Sequence, residues 1–168
     1  RTMINIRRTL LKQRARTDAL LQSIFRLHGA NIKLLNGRGS LAAEVASQLR
    51  LLRTSGVTIR VDLDPLVSMG EALRSHISNI DREMRTMAAS IPACARFQTI
   101  PGVGTITALS FYSAVGDPYR FENNRDVGPY LGLTPNLYQS GVTARRGRIS
   151  RYGNKLTRSH LITAATVL

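Results

Sequence analysis

The sharpest chemistry in the sequence lies near its carboxy-terminal end, where Ser140-Gly141 is followed closely by Arg145-Arg146-Gly147-Arg148. A serine hydroxyl is a weak nucleophile until something stabilises its alkoxide or the group it attacks. Guanidinium groups do this for phosphorus, forking onto phosphate oxygens and holding the charge that develops during transfer. A serine in a basic loop is therefore consistent with attack on a DNA phosphodiester. Spacing also leaves a plainer reading open, because most Ser-Gly pairs are turns. A Ser-His-Asp arrangement cannot be argued, since His160 has no identifiable carboxylate partner. Val127 to Leu168 contains no acid, and Arg151, Lys155 and Arg158 join the three loop arginines as candidate phosphate contacts.

A second signal is Ile100-Pro101-Gly102-Val103-Gly104-Thr105-Ile106-Thr107-Ala108. Gly-apolar-Gly with Ala four residues after the second glycine is the spacing of a helix-hairpin-helix. Gly102 and Gly104 would permit a tight turn and leave backbone N–H groups free for a phosphate at the start of the next helix. Ala108 would let the two helices pack closely. An ordinary Pro-Gly turn between helices fits the same residues.

Charge points the same way. Lys and Arg number 24 against 10 Asp and Glu in 168 residues, a formal +14, which favours a polyanionic partner, with nucleic acid the commonest. Aromatic residues make up 5% with no Trp, which argues against an aromatic-rich β-sandwich or barrel. Cys94 is the single cysteine, and His28, His76 and His160 are scattered, so neither an internal disulfide nor zinc spacing is present. Asp117, Glu122 and Asp126 lack the spacing of a metal site. Asp117-Pro118 with Phe121 reads as a loop and its anchor, and Cys94 as a small buried apolar residue. No metal or cofactor is expected in this chain. No apolar run is long enough to span a bilayer and no signal peptide opens the sequence, so a soluble cytoplasmic setting without a membrane partner is expected.

The elements that must carry these residues are mostly helical. Arg1 to Gly29 reads as one helix of roughly 40 Å at about 1.5 Å per residue, with a seam of Met3, Ile6, Leu10, Leu20, Ile24 and Leu27. Gly29 stands as its stop. Arg7, Arg8, Lys12, Arg14 and Arg16 lie on outward positions, which suits either a solvated charged face or a helix laid along phosphates. Asn36-Gly37-Arg38-Gly39 marks a break, and Ser40 can cap a second helix ending near Ser55 and Gly56. Val57 to Leu63 alternates like a short strand or linker. Asp64-Pro65 opens a third helix, with Asp64 as cap and a heptad seam of Leu73, Ile77, Ile80, Met84, Met87 and Ile91. Two seams can fold back as an antiparallel hairpin or zip to another subunit. After Pro92 the chain turns richer in Gly and Pro. The expected architecture is mainly α: a coiled-coil arm over 1–91, then a compact helical domain over 92–168 with a short irregular or β segment near the serine.

Taken together, Ile100-Pro-Gly-Val-Gly, Arg120-Phe121, Tyr130-Leu-Gly-Leu-Thr-Pro135, Ser140-Gly141, Gly147-Arg-Ile-Ser150 and Gly153-Asn154 resemble the carboxy-terminal transposase domain of the IS-one-ten family of insertion sequences. That family is related to Piv-type DNA invertases and includes recombinases guided by a bridge RNA. The likeness covers roughly residues 96 to 168. The run from Leu10 to Gly29 is similar to the helix leading into the family's coiled coil. In relatives a helix tends to continue where this chain has Gly128-Pro129.

The resemblance implies that Ser140 is a nucleophile linking covalently to DNA. It implies a composite active site completed by a RuvC-like domain, whose four acids bind divalent metal, expected to be Mg. That domain would precede Arg1, and the family's chain usually continues past Leu168. The expected function is DNA transposition or site-specific recombination in a bacterial or archaeal cytoplasm. DNA, a guide RNA and further copies of the chain through the coiled coil are the expected partners. The rivals are a catalytically inactive DNA- or RNA-binding fragment or regulator, and a generic helix-hairpin-helix repair factor, which leaves the Ser140 neighbourhood unexplained.

Overall fold

The computed structural model describes residues 1–33, 39–140 and 143–167, with Thr143 and Ala144 described by backbone alone. Asn36-Gly37-Arg38 of the expected break, Gly141 and Leu168 lie outside the described residues. Among the described residues the fold is mainly α, with one two-stranded sheet. The chain divides into two compact units, Thr2–Arg82 and Glu83–Leu168, the latter joined by Arg1.

In the first unit α1 (Thr2–Leu27) runs unbroken because it contains neither Gly nor Pro. It stops where Gly29 N–H bonds the Arg26 carbonyl and Ala30 N–H bonds the Phe25 carbonyl, the paired bonds that close a helix at a left-handed glycine. Ser40 caps α2 (Leu41–Thr54), its hydroxyl accepting from Ala43 N–H. Residues 57–63 form a linker and not a strand. Val57 and Ile59 of that linker still pack on the core, which contains Leu21, Phe25, Ile32, Leu41, Val45, Leu52, Leu63 and Val67. For α3 (Asp64–Ser90) the capping side chain is Asp62, which accepts from the Asp64 N–H. Asp64 itself lies within the first turn.

The seam of α1 is displaced by one residue from the expected one. Ile4, Thr17, Leu21 and Phe25 are buried, while Ile6, Leu20 and Leu27 are exposed. Hydrophobicity alone misses the inward stripe because its middle is polar: Arg7 pairs with Asp81, and Asp18 pairs with Arg74 at 2.9 Å and with Arg14 at 3.9 Å. Arg7 meets the later part of α3 and Asp18 the earlier part, so the two helices are antiparallel partners within one chain. On α3 the expected seam holds better, with Ile77 and Met84 buried, though Ala88 replaces the exposed Met87.

In the second unit α4 (Pro92–Phe97) and α5 (Thr105–Val115) flank the glycine turn, and Phe97 meets Phe111 edge-on at 5.1 Å. Asp117 caps a 3-10 turn, Pro118–Arg120, by accepting from Tyr119 N–H. A second such turn, Asn124–Asp126, leads into the short α6 (Val127–Tyr130), which accommodates Gly128 and Pro129. Then follow β1 (Pro135–Ser140), β2 (Thr143–Ile149) and α7 (Lys155–Ala165). Asn154 caps α7 by accepting from Leu156 and Thr157 N–H. α5 and α7 join through a buried bond between the Ser110 and Thr157 hydroxyls, 3.0 Å.

Candidate nucleic-acid interface

The strands β1 and β2 form an antiparallel hairpin in which Leu137 faces Arg146, Tyr138 faces Arg145, and Ser140 faces Thr143. Side chains alternate across a strand, so Ser140, Tyr138 and Arg145 share one face while Leu137 and Arg146 share the other. Ser140 and Arg145 stand diagonally across the hairpin, about 7–8 Å apart and within reach of a long side chain. Ser140, Arg145, Arg146 and Arg148 are all exposed. Between Arg146 and Ile149 the register slips by one residue. Such a bulge re-aims side chains, and Tyr138, Arg145, Arg146, Gly147 and Arg148 line one open groove of about 620 Å³.

The base of the hairpin is tied by two crossing loops. Ser150 N–H bonds the Thr134 carbonyl at 2.8 Å, and Arg151 N–H bonds the Gly132 carbonyl at 3.2 Å. A Cβ on Gly132 would overlap the Tyr152 carbonyl, and one on Gly153 would overlap the Tyr130 carbonyl. Both glycines also have positive φ, so no other residue fits this crossing without strain. This accounts for Leu131-Gly132-Leu133-Thr134-Pro135 and Gly153-Asn154 as a scaffold for the serine strand.

The remaining candidates separate by burial. Arg151 and Lys155 are exposed, Arg151 with a positive φ of 60°. Arg158 departs from a surface role: it is only 7% exposed, and its Nη1 donates to the Leu131 carbonyl at 3.0 Å and the Tyr152 carbonyl at 2.8 Å. The charged head pins both crossing loops to α7. Gly102 is also structural, because a Cβ there would overlap the Ala164 carbonyl of α7. Gly104 differs: it is exposed, has open space around it, and heads α5 without a side-chain cap. The two glycines expected to act together against phosphate therefore face different surroundings.

Arg120 lies over the rings of Tyr130 at 4.3 Å and Phe121 at 4.7 Å. Its guanidinium, with a smaller contribution from Arg1, holds the Tyr130 phenol below the usual tyrosine pKa. Tyr130 also donates to the Ala114 carbonyl at 3.1 Å, so this cluster anchors the loop before the hairpin. Cys94 is buried and free, and burial pushes its thiol pKa up. Asp117 and Asp126 spend their carboxylates on backbone N–H groups. No group of three or more His, Cys, Asp or Glu gathers among the described residues, and no described helix is long and apolar enough to cross a membrane.

In the other unit the arginines of α1 sort into two sets. Arg7 and Arg14 turn inward onto carboxylates, whereas Arg8, Lys12 and Arg16 remain exposed at four-residue steps, one face of a helix. Sequence reasoning missed Tyr138 altogether. The signal available was an aromatic residue two positions before the serine, with a glycine in the facing strand.

Residues 94–168 match the family described as "Transposase IS116/IS110/IS902 family". The chain is similar to the transposase for insertion sequence element IS1111A of Coxiella burnetii, 38% identical over 92 residues, covering 55% of this chain and 25% of that one. It is similar to the transposase for insertion sequence element IS1328 of Yersinia enterocolitica, 36% identical over 95 residues, covering 56% and 28%. Over 71 residues it is 34% identical to the pilin gene-inverting protein of Moraxella bovis, covering 42% and 22%. The matched stretch spans about a quarter of the length of these curated relatives.

Proposed function

We propose, from the premise that residues 94–168 are a portion of a transposase of the IS116/IS110/IS902 family, that Ser140 is the nucleophile of DNA strand cleavage and rejoining. The observation that carries this reading is the exposed hairpin on which Ser140 shares a face with Arg145. In the proposed step the Ser140 oxygen bonds to phosphorus and loses its proton to solvent. One phosphodiester oxygen leaves with its strand, taking up a proton as a free hydroxyl. Attack by a strand hydroxyl on the phosphoserine reverses the exchange, so the phosphate ester is conserved for rejoining. Arg145, Arg146 and Arg148 bind the flanking phosphates and hold the charge that develops.

A RuvC-like acidic domain with divalent metal, expected to be Mg, completes the site in this reading. Gly104 and the uncapped start of α5 offer backbone donors to a further phosphate, as the helix-hairpin-helix spacing suggests. The stripe Arg8, Lys12 and Arg16 supports a second contact with a nucleic-acid backbone, DNA or a guide RNA. Paired cuts need more than one serine, and the exposed Ile6, Leu20 and Leu27 leave apolar surface on α1 for pairing with another copy.

The test is to supply a RuvC-like domain with magnesium and look for protein covalently attached to DNA, comparing Ser140→Ala with the parent. An adduct in the parent and none in the variant is expected. An adduct retained by the variant overturns the nucleophile assignment. DNA binding without any adduct in the parent returns the inactive binding module.

A further inference from the structure

We infer that the Tyr138 ring is a stacking platform for an unpaired DNA base beside the phosphate attacked by Ser140, an inference that rests on the Ser140 reading above. Tyr138 is 62% exposed. The ring lies against the facing strand at Gly147, where an added Cβ would stand 2.8 Å from the ring's Cε2 and 3.4 Å from the Asn136 carbonyl oxygen. A side chain at 147 would force the ring to shift from this position. Glycine at that position therefore keeps the ring seated while most of it stays open to solvent.

The surroundings define the ligand. Tyr138 shares its groove with Arg145, Arg146 and Arg148, and Arg145 is its direct cross-strand partner. Aromatic rings set among cations are how proteins hold single-stranded nucleic acid: the charges follow the backbone and the ring takes a base face. A base inside a duplex already has both faces covered by its neighbours, so the platform suits a base that has left the stack. Two residues along a strand are about 6.5–7 Å, close to the reach of one extended nucleotide. A base on Tyr138 would therefore leave an adjacent phosphate at the Ser140 hydroxyl. Stacking here orients the strand before attack. Tyr138 is a positioning residue and takes no part in bond making.

The experiment uses the full chain and a single-stranded oligonucleotide carrying 2-aminopurine, whose fluorescence falls when it stacks. Titrations over a range of salt compare the parent with Tyr138→Ala, Tyr138→Phe and the double change of Arg145→Ala with Arg148→Ala. Quenching on binding is expected in the parent and in Tyr138→Phe, which keeps the ring. Tyr138→Ala should lose the quenching and bind roughly five- to 150-fold more weakly, with the salt dependence unchanged because stacking releases no counterions. The double arginine change should flatten the salt dependence and keep the quenching. If Tyr138→Ala binds and quenches like the parent while salt dependence stays steep, the platform is overturned and the guanidinium reading stands. If the arginine variant keeps the full salt dependence while Tyr138→Ala weakens binding, the guanidinium reading fails and the platform stands. Absence of binding by the parent overturns both.

Discussion

Arg158 donates from one nitrogen to the Tyr152 carbonyl at 2.8 Å while the same nitrogen reaches the Leu131 carbonyl at 3.0 Å. One buried cation of α7 thus holds the two crossing loops at the foot of the serine hairpin. Charged hydrogen bonds of this kind contribute about 1.5–3 kcal/mol each, and their loss leaves carbonyls unpaired. Arg158→Ala should lower the free energy of unfolding by about 2–4 kcal/mol. The same variant, assayed well below its melting temperature, should keep the parent's salt dependence of DNA binding. A flattened salt dependence with unchanged stability would return Arg158 to the phosphate-contacting set.

The hairpin arginines carry the opposite expectation. Arg145, Arg146 and Arg148 are exposed, so single changes to Ala should move stability by no more than about 0.5 kcal/mol. Each phosphate contact removed should flatten the slope of log affinity against log salt by about 0.9 for duplex DNA. Sequence preference should hold, because phosphate contacts position without reading bases. Filter binding at several salt concentrations decides it.

Gly102 and Gly104 separate in a thermal melt. Gly102 has a φ of +80°, and a Cβ there overlaps the Ala164 carbonyl, so Gly102→Ala should cost about 1–3 kcal/mol. Gly104 has open space and an extended backbone at the head of α5. Gly104→Ala should cost less than about 1 kcal/mol. Equal losses from the two would contradict this assignment of close packing to Gly102 alone.

Acid should weaken the first unit through Glu71. Its carboxylate accepts from Ala42 N–H at 3.1 Å and from the Ser40 hydroxyl at 3.0 Å. These bonds, the backbone one foremost, with smaller help from Leu41 N–H and Arg74, outweigh burial and lower its pKa from 4.5. A carboxylate with a depressed folded pKa contributes stability that is complete above the unfolded value and is lost as pH falls through the folded one. The stability advantage of the parent over Glu71→Gln should be constant above 4.5 and shrink on the acid side. Denaturant melts from about pH 7 to about pH 3 measure it. A pH-independent difference would remove the ionised form from the cap.

Much was legible from local pattern. The helix start at Ser40 rests on a hydroxyl that bonds its own neighbour and the stops at Gly29 and Gly56 on glycines with positive φ, so a reading along the chain reaches them. Asp64 shows the limit of that reading, since Asp62 supplies the bond instead. The seam of α1 departs from the hydrophobic pattern because the middle of its inward stripe, between Ile4 and Leu21, holds Arg7, Arg14, Thr17 and Asp18. Arg7 and Asp18 are paired there by Asp81 and Arg74 of α3, partners that no reading along α1 supplies.

The chemical kind of the functional segment needed no fold. A serine, a run of arginines and an acid-free carboxy-terminal stretch favour a polyanionic partner by composition, because long-range charge depends on which residues are present more than on where they stand. Which arginine faces solvent is another matter. Arg145 and Arg158 are alike as letters, yet one stands exposed across from Tyr138 and the other is buried under two loops. Strand pairing, the bulge beside Gly147 and the loop crossing at Gly132 and Gly153 decided that. These contacts join residues distant in sequence, and their energies exist only once the chain has closed on itself.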